Sequence, residues 1–459
     1  MIHKSLFISS FKKKCKRICG VIAVIIVLEW VSSVLNYIYT DYSYYNWSRI
    51  LWHNYYKEEE NIDYLYLGSS HVYCDLNPFL LDELNGENNF NLSTDSQKLN
   101  GSYYLLREAD KDHDLKHVYV ELYYVQSIGK SGNFLTSEGG RVSNWRNTDF
   151  MKNSFNRLEY MWTMSSLEFY IDTLFPFVRY RDKCFDVDYI RSQVEYKQTE
   201  EYQNYRYYKC VEETEEPYVV EYRDKGYNYT TKAMSEGSLK KEFTKQDCLI
   251  ENPLADDAEE YLRKILSYCK KNDIEVTLFS SPMTEVHILA SKGNYDNYVN
   301  QIRSIAEEYD VVYYDFNLCN EEYFALEMDS FRDLHHMNGK GADLFTEFFW
   351  KVMEGNEEKN EIYFYDSWTE KTDGKIYGLL QREQNEEGII SYEIASNSEC
   401  DTGMEYRILL TPQDGETVML QDFSENKLFE VSEEEHGICT VVARRIGEAD
   451  NVQTLEIEY

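Results

Sequence analysis

Apolar and polar residues follow different periods in successive parts of this chain, and each change of period marks a new segment. The first is an apolar run at residues 18–28 that continues beyond Glu29 to Ile38. A window of about 20 apolar residues is long enough to cross the hydrocarbon core of a bilayer. Residues 1–40 are therefore predicted to form a basic cytoplasmic tail and a transmembrane helix. The polar and aromatic residues 41–61 are predicted to be a linker.

Strand-like and helix-like patterns alternate between residues 62 and 355. The predicted strands are short apolar runs, at residues 64–67, 89–92, 117–122, 275–280 and 311–316. The predicted helices lie between and after them, at residues 78–84, 96–109, 256–271, 295–309 and 339–353. Strands separated by helices of this length imply a parallel sheet with helices on both faces, so the predicted fold class is α/β.

Two long segments depart from this alternation. Residues 134–250 are rich in Tyr, Arg and Glu and show little periodicity. An insertion of this length inside an α/β domain is usually a functional lid or substrate platform. Residues 361–459 contain short alternating runs divided by Gly, Asn and Asp turns, a pattern that predicts a C-terminal antiparallel β-sandwich.

The balance of charge excludes one class of partner and orients the chain. Lys and Arg number 47 and Asp and Glu 82, for a formal charge of -35. A surface this acidic repels phosphate backbones, so we expect no nucleic-acid partner. The basic residues 12–17 precede the apolar run and should stay cytoplasmic, which places the body outside the cell. No small-residue cleavage site follows, so the run is expected to be an uncleaved, single-pass signal anchor in the cell membrane.

Glu29 interrupts this apolar run. A charged carboxylate at the centre of a bilayer costs about 2.5–3.5 kcal/mol on insertion scales. We therefore expect Glu29 to lie toward the outer interface or to pair with a helix of another protein.

The first predicted strand ends in Gly68-Ser69-Ser70-His71. One interpretation is local, because glycine and serine form turns wherever a strand must end. The other is that the turn presents the Ser70 hydroxyl at the carboxyl end of a parallel sheet, where α/β proteins bind ligands.

A second polar motif, DLHHMN at residues 333–338, favours the second interpretation. Asp333 and His336 lie three positions apart, just before a predicted helix. An imidazole and a carboxylate so placed can serve as a general base for Ser70 and as the group that orients it. The α/β-hydrolase fold is disfavoured, because Val72 stands where its G-x-S-x-G elbow needs glycine.

A zinc site is the alternative use of these histidines. Adjacent side chains such as His335 and His336 are expected to point apart, and Asp333 is the only carboxylate close to them in the sequence. The ten cysteines show neither a C-x-x-C pair nor zinc-ligand spacing. We therefore expect no metal and no cofactor.

The two motifs resemble the first and last conserved blocks of the SGNH/GDSL hydrolase superfamily. GSSH at residues 68–71 matches the first block, with Ser69 in the place of the usual aspartate and Ser70 as the nucleophile. DLHHMN matches the last block and assigns Asp333 and His336 to the triad. The resemblance implies a flavodoxin-like parallel sheet.

The two middle blocks of that superfamily are matched less well. FNLS at residues 90–93 resembles the second block, with Ser93 in the place of the glycine that donates its backbone N–H to the oxyanion hole. The third block, Gly-x-Asn-Asp, has no match, since VELYYVQS follows the third strand. The resemblance implies an oxyanion hole formed by the backbone N–H groups of Ser70 and Ser93. Polar residues are expected to line the cleft: His71, Gln97, Glu121 and Asn338.

The resemblance is closest to the membrane-anchored, extracytoplasmic branch found beside cell-surface polysaccharide machinery, such as the teichoic-acid D-alanylation and alginate O-acetylation proteins. It implies a serine esterase or O-acyltransferase acting on acyl esters, acetyl first among them, of a cell-surface glycan. A membrane-bound acyltransferase is the implied protein partner. The alternative hypothesis is a catalytically silent SGNH-like protein that binds glycan or scaffolds such an acyltransferase.

Overall fold

The computed structural model describes residues 2–42, 46–123, 138–163, 167–204, 208–214, 216–242, 254–290, 294–355, 360–385, 388–397, 403–448 and 452–459. The helices are α1 (Ile2–Tyr39), α2 (Asn46–Tyr55), α3 (Ser70–Asp75), α4 (Pro78–Asn85), α5 (Leu99–Asp112), α6 (Glu138–Thr148), α7 (Phe155–Trp162), α8 (Leu167–Leu174), α9 (Val187–Tyr196), α10 (Glu200–Gln203), α11 (Asp256–Lys271), α12 (Glu285–Ala290), α13 (Tyr295–Tyr309), α14 (Gly339–Glu354) and α15 (Trp368–Thr372).

The strands are β1 (Tyr64–Leu67), β2 (Asn89–Asn91), β3 (His117–Glu121), β4 (Tyr208–Glu212), β5 (Tyr218–Arg223), β6 (Tyr227–Thr230), β7 (Lys240–Glu242), β8 (Glu275–Ser280), β9 (Val312–Asp315), β10 (Phe331–Asp333), β11 (His336–Met337), β12 (Ile376–Gln384), β13 (Ile389–Ser396), β14 (Met404–Pro412), β15 (Val418–Ser424), β16 (Leu428–Ser432), β17 (Gly437–Arg445) and β18 (Val452–Glu458).

The central sheet contains five parallel strands in the order β2-β1-β3-β8-β9. Counted along the sheet, this is the doubly wound order 2-1-3-4-5. Sheets of this kind bind ligands beyond the carboxyl ends of the strands where the order reverses, which here is between β1 and β3. The predicted parallel sheet is confirmed, and each predicted strand end lies within one residue of the observed one.

Helices cover both faces of this sheet because successive strand side chains point to opposite sides. Leu65 and Leu278 belong to a core shared with α5, α11 and α13. Tyr66 and Phe279 belong to a second core, on the other face, with Phe349 of α14. Both faces are apolar, which accounts for the continuous apolar runs that predicted the strands.

Residues 41–61 differ from the predicted linker. Within them, α2 buries Ile50, Trp52 and Tyr55 in the core of the α/β body. The Trp52 indole N–H donates to Asn147 Oδ1 at 3.2 Å, and the Tyr55 hydroxyl donates to the Glu108 carbonyl at 3.2 Å. The helical pattern of this short segment is hard to recognise, because its aromatic residues also suit a flexible linker. Contacts with the α/β body, rather than the local sequence, make it a buried helix.

The helix α1 contains one stretch, Lys16–Tyr39, that is long and apolar enough to cross a membrane. The stretch is about 36 Å long at 1.5 Å per residue. Glu29 has a partner within this chain rather than in another protein's helix, because its Oε1 accepts a hydrogen bond from Asn153 Nδ2 at 3.3 Å.

The described part of the predicted insertion contains α6 to α10, the antiparallel sheet β4-β5-β6 and the strand β7. Its elements are short, so the sequence showed no sustained period. The 3₁₀ segment Pro176–Lys183 and α9 pack against the end of α1. Residues 134–137 and 243–250 of the predicted insertion lie outside the described residues.

The end of α1 is capped by a buried lysine of this insertion. Lys197 Nζ donates to the carbonyl oxygens of Asn36, Tyr37 and Thr40 at 3.4, 2.8 and 2.5 Å. The last carbonyls of a helix have no partner within it, so a lysine can satisfy several of them at once. Burial lowers the pKa of Lys197 to about 8.

Two antiparallel sheets follow the α/β part, as predicted for the C-terminal segment. The sheets β16-β13-β12-β7 and β15-β14-β17-β18 enclose a core that includes Ile394, Tyr406 and Val441. One strand was not expected there. The insertion supplies β7, which pairs in parallel with β12 through Lys240 and Leu379, so the insertion and the C-terminal sheets are joined by backbone hydrogen bonds.

Lys197→Met tests the cap on α1. The substitution keeps the apolar stem of the side chain but leaves three carbonyl oxygens without their charged donor. We expect the free energy of unfolding to fall by about 1.5–3 kcal/mol, the range for hydrogen bonds to a charged group. The measurement is denaturant unfolding of the full chain in detergent, followed by tryptophan fluorescence.

Lys183→Met is the matched control for this experiment. The Lys183 side chain is 44% exposed, and its ammonium lies 3.9 Å from the Asp182 carboxylate. Such a surface pair should change the unfolding free energy by no more than about 0.5 kcal/mol. Equal losses in the two variants would contradict a capping role for Lys197.

Candidate active site

Gly68 lets β1 turn sharply beside the end of β3. A Cβ at this position would lie 2.6 Å from both Cβ and Oε2 of Glu121 and 2.7 Å from Cγ2 of Val72, so a larger residue does not fit. The following residue, Ser69, caps α3 by accepting a hydrogen bond from the His71 N–H at 3.4 Å. Ser70 is thereby fixed as the first residue of α3, at the carboxyl edge of the sheet.

The second segment of the site is the hairpin β10-β11, which places Asp333 opposite His336. Asp333 Oδ1 accepts the backbone N–H groups of His335 and His336 at 3.1 and 3.0 Å. An aspartate that binds the backbone two and three residues ahead stabilises a tight turn. The Asp-x-x-His spacing is therefore a structural turn as well as a pair of functional groups.

One hydrogen bond joins α3 to the backbone of the hairpin, and two more join the residue before α4 to α14. Asp75 Oδ1 accepts the Met337 backbone N–H at 3.0 Å. Asn77 donates from its backbone to Thr346 Oγ1 at 2.9 Å and from its side chain to Asp343 Oδ1 at 2.8 Å. The helix that carries Ser70 is thus bound directly to the strand that carries the histidine.

The predicted triad residues lie in one continuous hydrogen-bonded row. Ser70 Oγ is 2.7 Å from His336 Nε2, although the two residues are 266 positions apart. His336 Nδ1 is 3.0 Å from both carboxylate oxygens of Asp333. Because an ionised carboxylate only accepts, Nδ1 carries the imidazole proton and Nε2 is left to accept from the serine. This is the arrangement a general base requires.

The charges of the site favour the same protonation states. Burial lowers the pKa of His336 to about 4, against the opposing effect of its hydrogen bond with Asp333. For Asp333, burial raises the pKa, but the hydrogen bond and charge of His336, with the charges of His335 and Arg332, hold it well below its usual range. Near neutral pH the imidazole is therefore neutral and the carboxylate ionised.

A second row of polar groups runs beside the triad. Glu121 Oε2 accepts the Ser69 backbone N–H at 2.9 Å, and its other oxygen lies 3.6 Å from His71 Nδ1. His71 Nε2 is 3.2 Å from His335 Nδ1. Burial lowers the pKa of His71, but the interaction with the nearby carboxylate of Glu121 outweighs burial and raises this pKa above its ordinary value.

Two further aromatic residues complete this second row, and neither was among the predicted cleft residues. The Tyr123 hydroxyl is 2.9 Å from His287 Nε2, and the Tyr123 ring packs edge-on against His71 at 4.1 Å. The His287 ring stacks on His335 at 4.5 Å. Tyr123 is the second residue after β3, and this position beyond a strand's carboxyl end was the available signal. His287 lies in α12, a helix that no periodic pattern in the sequence predicted.

The two predicted oxyanion donors lie at the carboxyl edge of the sheet, and the predicted cleft residue Gln97 lines a cavity. Ser70 N–H belongs to the first turn of α3, where backbone donors have no partner within the helix. Ser93 follows β2 at the same edge of the sheet, and its buried hydroxyl has no hydrogen-bond partner. Gln97 lines a cavity with Gly68, Glu121 and Tyr123.

Asn338 and Gln97 also have structural roles. Asn338 caps α14 by accepting from the Gly341 N–H at 3.1 Å, and its amide donates to the carbonyls of Lys232 and Asp329 at 3.0 and 2.6 Å. Its polar atoms are therefore used by the backbone rather than turned to a ligand. The Gln97 amide donates to Ser102 Oγ at 3.1 Å.

The residues of the site differ in their exposure to solvent. Ser70 keeps 9% of its surface exposed. The side chains of Asp333 and His335 are 40% and 26% exposed. Among the described residues, the site is therefore most open to solvent on the Asp333–His335 side.

Three imidazoles, of His71, His335 and His336, offer nitrogens within 4.8 Å of one another, close enough to share one metal ion. The rings of His335 and His336 were expected to point apart, but their centroids are 3.9 Å apart because Leu334 and His335 form the hairpin turn. Both nitrogens of His336 already bind Ser70 and Asp333. An ion there would take Nε2 from the serine, so the two uses of this histidine exclude each other.

Glu121→Gln tests the electrostatic role of the second row. The amide oxygen can still accept the Ser69 N–H, so the turn should persist, but the charge that raises the pKa of His71 is lost. Burial then dominates, and we expect the pKa of His71 to fall below its ordinary value. The measurement is a histidine-selective NMR titration of the full chain.

Glu87→Gln is the control, because Glu87 pairs with Lys116 at 2.6 Å on the surface. This variant should leave the His71 titration unchanged. An unchanged His71 titration in Glu121→Gln would show that Glu121 does not set the charge of this histidine.

Comparison with known proteins adds no family to this picture. No family model matches the chain, and no curated protein matches it. The functional interpretation therefore depends on the geometry of the described residues.

Proposed function

We propose that this chain is a serine esterase or O-acyltransferase that forms an acyl-enzyme on Ser70. The observation that carries the proposal is the unbroken row Ser70–His336–Asp333, with contacts of 2.7 and 3.0 Å. A neutral, oriented imidazole next to a serine hydroxyl at the edge of a parallel sheet is the arrangement by which serine nucleophiles are activated.

The reaction would proceed in two balanced steps. Ser70 Oγ attacks the acyl carbonyl carbon while His336 Nε2 takes the hydroxyl proton, and Asp333 stabilises the resulting imidazolium. The tetrahedral intermediate then expels the alcohol, which leaves with the proton from His336. In the second step His336 deprotonates water, in an esterase, or a sugar hydroxyl, in a transferase. That oxygen attacks the acyl carbonyl carbon, the bond to Ser70 Oγ breaks, and His336 returns its proton to Ser70 Oγ.

The tetrahedral oxyanion needs hydrogen-bond donors in place before the reaction. We assign this role to the backbone N–H groups of Ser70 and Ser93. Glu121 cannot replace the asparagine of the missing third block, because a carboxylate only accepts hydrogen bonds and here accepts one from Ser69. The oxyanion hole would therefore depend on backbone donors alone.

An SGNH-type fold is the structural part of the same proposal. Support comes from the strand order 2-1-3-4-5, with the nucleophile after the first strand and the Asp-x-x-His hairpin before the last helix of the α/β part. The apolar α1 supports a single-pass anchor in the cell membrane, with the body outside. Such a body would meet acyl esters of cell-surface polysaccharide, with a membrane-bound acyltransferase as the partner that supplies acyl groups.

A catalytically silent protein that binds glycan or scaffolds an acyltransferase is the second candidate. Two observations favour it. The third block, Gly-x-Asn-Asp, has no match in the sequence, and Ser70 has little exposed surface.

Labelling by a fluorophosphonate separates the two candidates, because the reagent needs an activated serine and not a particular acyl acceptor. We expect labelling of the wild-type full chain at Ser70 and none in Ser70→Ala. In Asp333→Asn the imidazole loses the group that fixes its tautomer, so the labelling rate should fall on the order of 10³–10⁴-fold. Peptide mass spectrometry locates the label.

Ser281→Ala is the matched control for this experiment. Ser281 is a buried serine just after β8, at the same edge of the sheet, and its hydroxyl has no partner. The variant should be labelled as fast as the wild type. A wild-type chain that is folded but not labelled would favour the silent protein, and label retained in Ser70→Ala would place the nucleophile elsewhere.

The pH dependence of labelling tests the state of His336. The base acts only when neutral, so a lowered pKa extends activity toward acid. We expect the labelling rate to rise with pH through about 4, the pKa of His336, and to level off above it. Arg332 contributes its charge to this lowering, so Arg332→Met should move the midpoint to higher pH.

Arg303→Met serves as the control for the charge change. Arg303 donates to the Asp366 carbonyl at 2.8 Å and belongs to α13, away from the hairpin. The pH midpoint of labelling in the Arg303→Met variant should equal that of the wild type. A midpoint near the ordinary histidine pKa in the wild type would show that the buried imidazole is not the group that limits the reaction.

A further inference from the structure

A group of large apolar side chains on the insertion is exposed next to α1. Phe155 is 83% exposed, Trp162 75% and Phe185 93%. Soluble proteins rarely leave contiguous apolar patches uncovered, and such patches mark interaction sites. We call this surface the collar, and its members lie on or beside α7, α8 and α9: Phe155, Leu158, Trp162, Ile171, Phe185 and Val187.

The collar is attached to the outer part of α1 at two levels. At the deeper level, Asn153, two positions before Phe155, donates to Glu29 at 3.3 Å. At the outer level, the Tyr39 hydroxyl donates to the carbonyl of Cys184, the neighbour of Phe185, at 3.3 Å. Between these levels, the Phe177 N–H donates to Asn36 Oδ1 at 2.9 Å.

The depth of these contacts matches the dimensions of a bilayer. Lys16 to Glu29 spans about 20 Å of helix. If the span begins at Lys16, about 10 Å of a 30 Å hydrocarbon core remains above Glu29. Interfacial elements bury their apolar faces about 5–10 Å into the boundary between headgroups and acyl chains. The insertion therefore reaches down to the level of the outer leaflet.

The composition of the collar suits that boundary. Trp162 stacks on Tyr170 at 5.0 Å, and tryptophan and tyrosine are enriched where headgroups meet hydrocarbon. Charged residues such as Asp188 flank Phe185 and Val187, which fits an interface better than the hydrocarbon centre. The exposed side of α1, with Trp30 and Val34, continues the same apolar surface around the helix.

We propose that the collar is seated in the outer leaflet of the membrane that α1 spans, so that lipid is its partner. The proposal depends on the anchoring role proposed for α1. It also accounts for Glu29 within the apolar stretch, since Asn153 enters the leaflet with the collar and donates a hydrogen bond to the Glu29 carboxylate there.

The collar is connected to the catalytic edge through α6. Asn147 Nδ2 donates to Thr94 Oγ1 at 3.0 Å, and Ser143 Oγ donates to the Ser96 carbonyl at 2.8 Å. Thr94 directly follows Ser93, and Ser96 lies three positions after it. A seated collar would therefore hold the Ser70 edge at one height above the membrane.

The test places a photo-crosslinker, p-benzoylphenylalanine, at Phe155, Trp162 or Phe185 of the full chain in its native membrane. After irradiation, mass spectrometry of the labelled peptides distinguishes adducts with lipid from adducts with protein. The same residue at Val418, which is 59% exposed on β15 of the C-terminal sheets, is the matched control. We expect lipid adducts at the three collar positions at least tenfold above those at Val418.

A fourth position separates failure of the collar from failure of the anchor. Ile25 is 52% exposed in the middle of the apolar stretch of α1. Lipid adducts at Ile25 together with none at the collar would overturn the proposal and leave the anchor intact. Protein adducts at the collar would also overturn it and assign the surface to a protein partner. If Ile25 also gives no lipid adducts, the anchor and the seated collar both fall.

Discussion

The hydrogen bond from the Met337 backbone to Asp75 is the contact on which the arrangement of the site depends. It joins the helix of Ser70 to the strand of His336 through the backbone, beside the side-chain contacts Ser70–His336 at 2.7 Å and His71–His335 at 3.2 Å. The bond is costly, because Asp75 is fully buried and its second oxygen has no partner. Burial raises the pKa of Asp75 to about 7. A buried polar group of this kind fixes position at the expense of stability.

Specific pairing also accounts for the charges around the triad. The site contains two carboxylates, and each has its own partner. Asp333 binds His336 and contacts Arg332 at 3.2 Å, whereas Glu121 lies beside His71. Burial keeps the base His336 neutral despite its hydrogen bond with Asp333, whereas Glu121 outweighs burial at His71, so the neighbouring histidine favours its charged form. Gly68 makes the separation possible by letting the turn pass against Glu121.

The sequence was sufficient for the parallel sheet and the triad because both depend on local patterns. Buried strands are continuous apolar runs, and the Asp-x-x-His spacing is itself a hydrogen-bonded turn. The parts that it did not predict depend on tertiary contacts. The helix α2 becomes part of the core only because Trp52 finds Asn147, about 95 positions away. His287 reaches Tyr123 only after α12 is placed, and no local period encodes that meeting.

The packing of residues 41–61 changes what the anchor can do. A flexible spacer of about 20 residues would let the body wander over roughly 25 Å. Here α2 is buried in the body, and Lys197 binds the last carbonyls of α1, so the helix enters the body without a free spacer. On the proposed function and the proposed seating of the collar, a body held in this way would reach only esters next to the membrane, and the choice of substrate would be set partly by height.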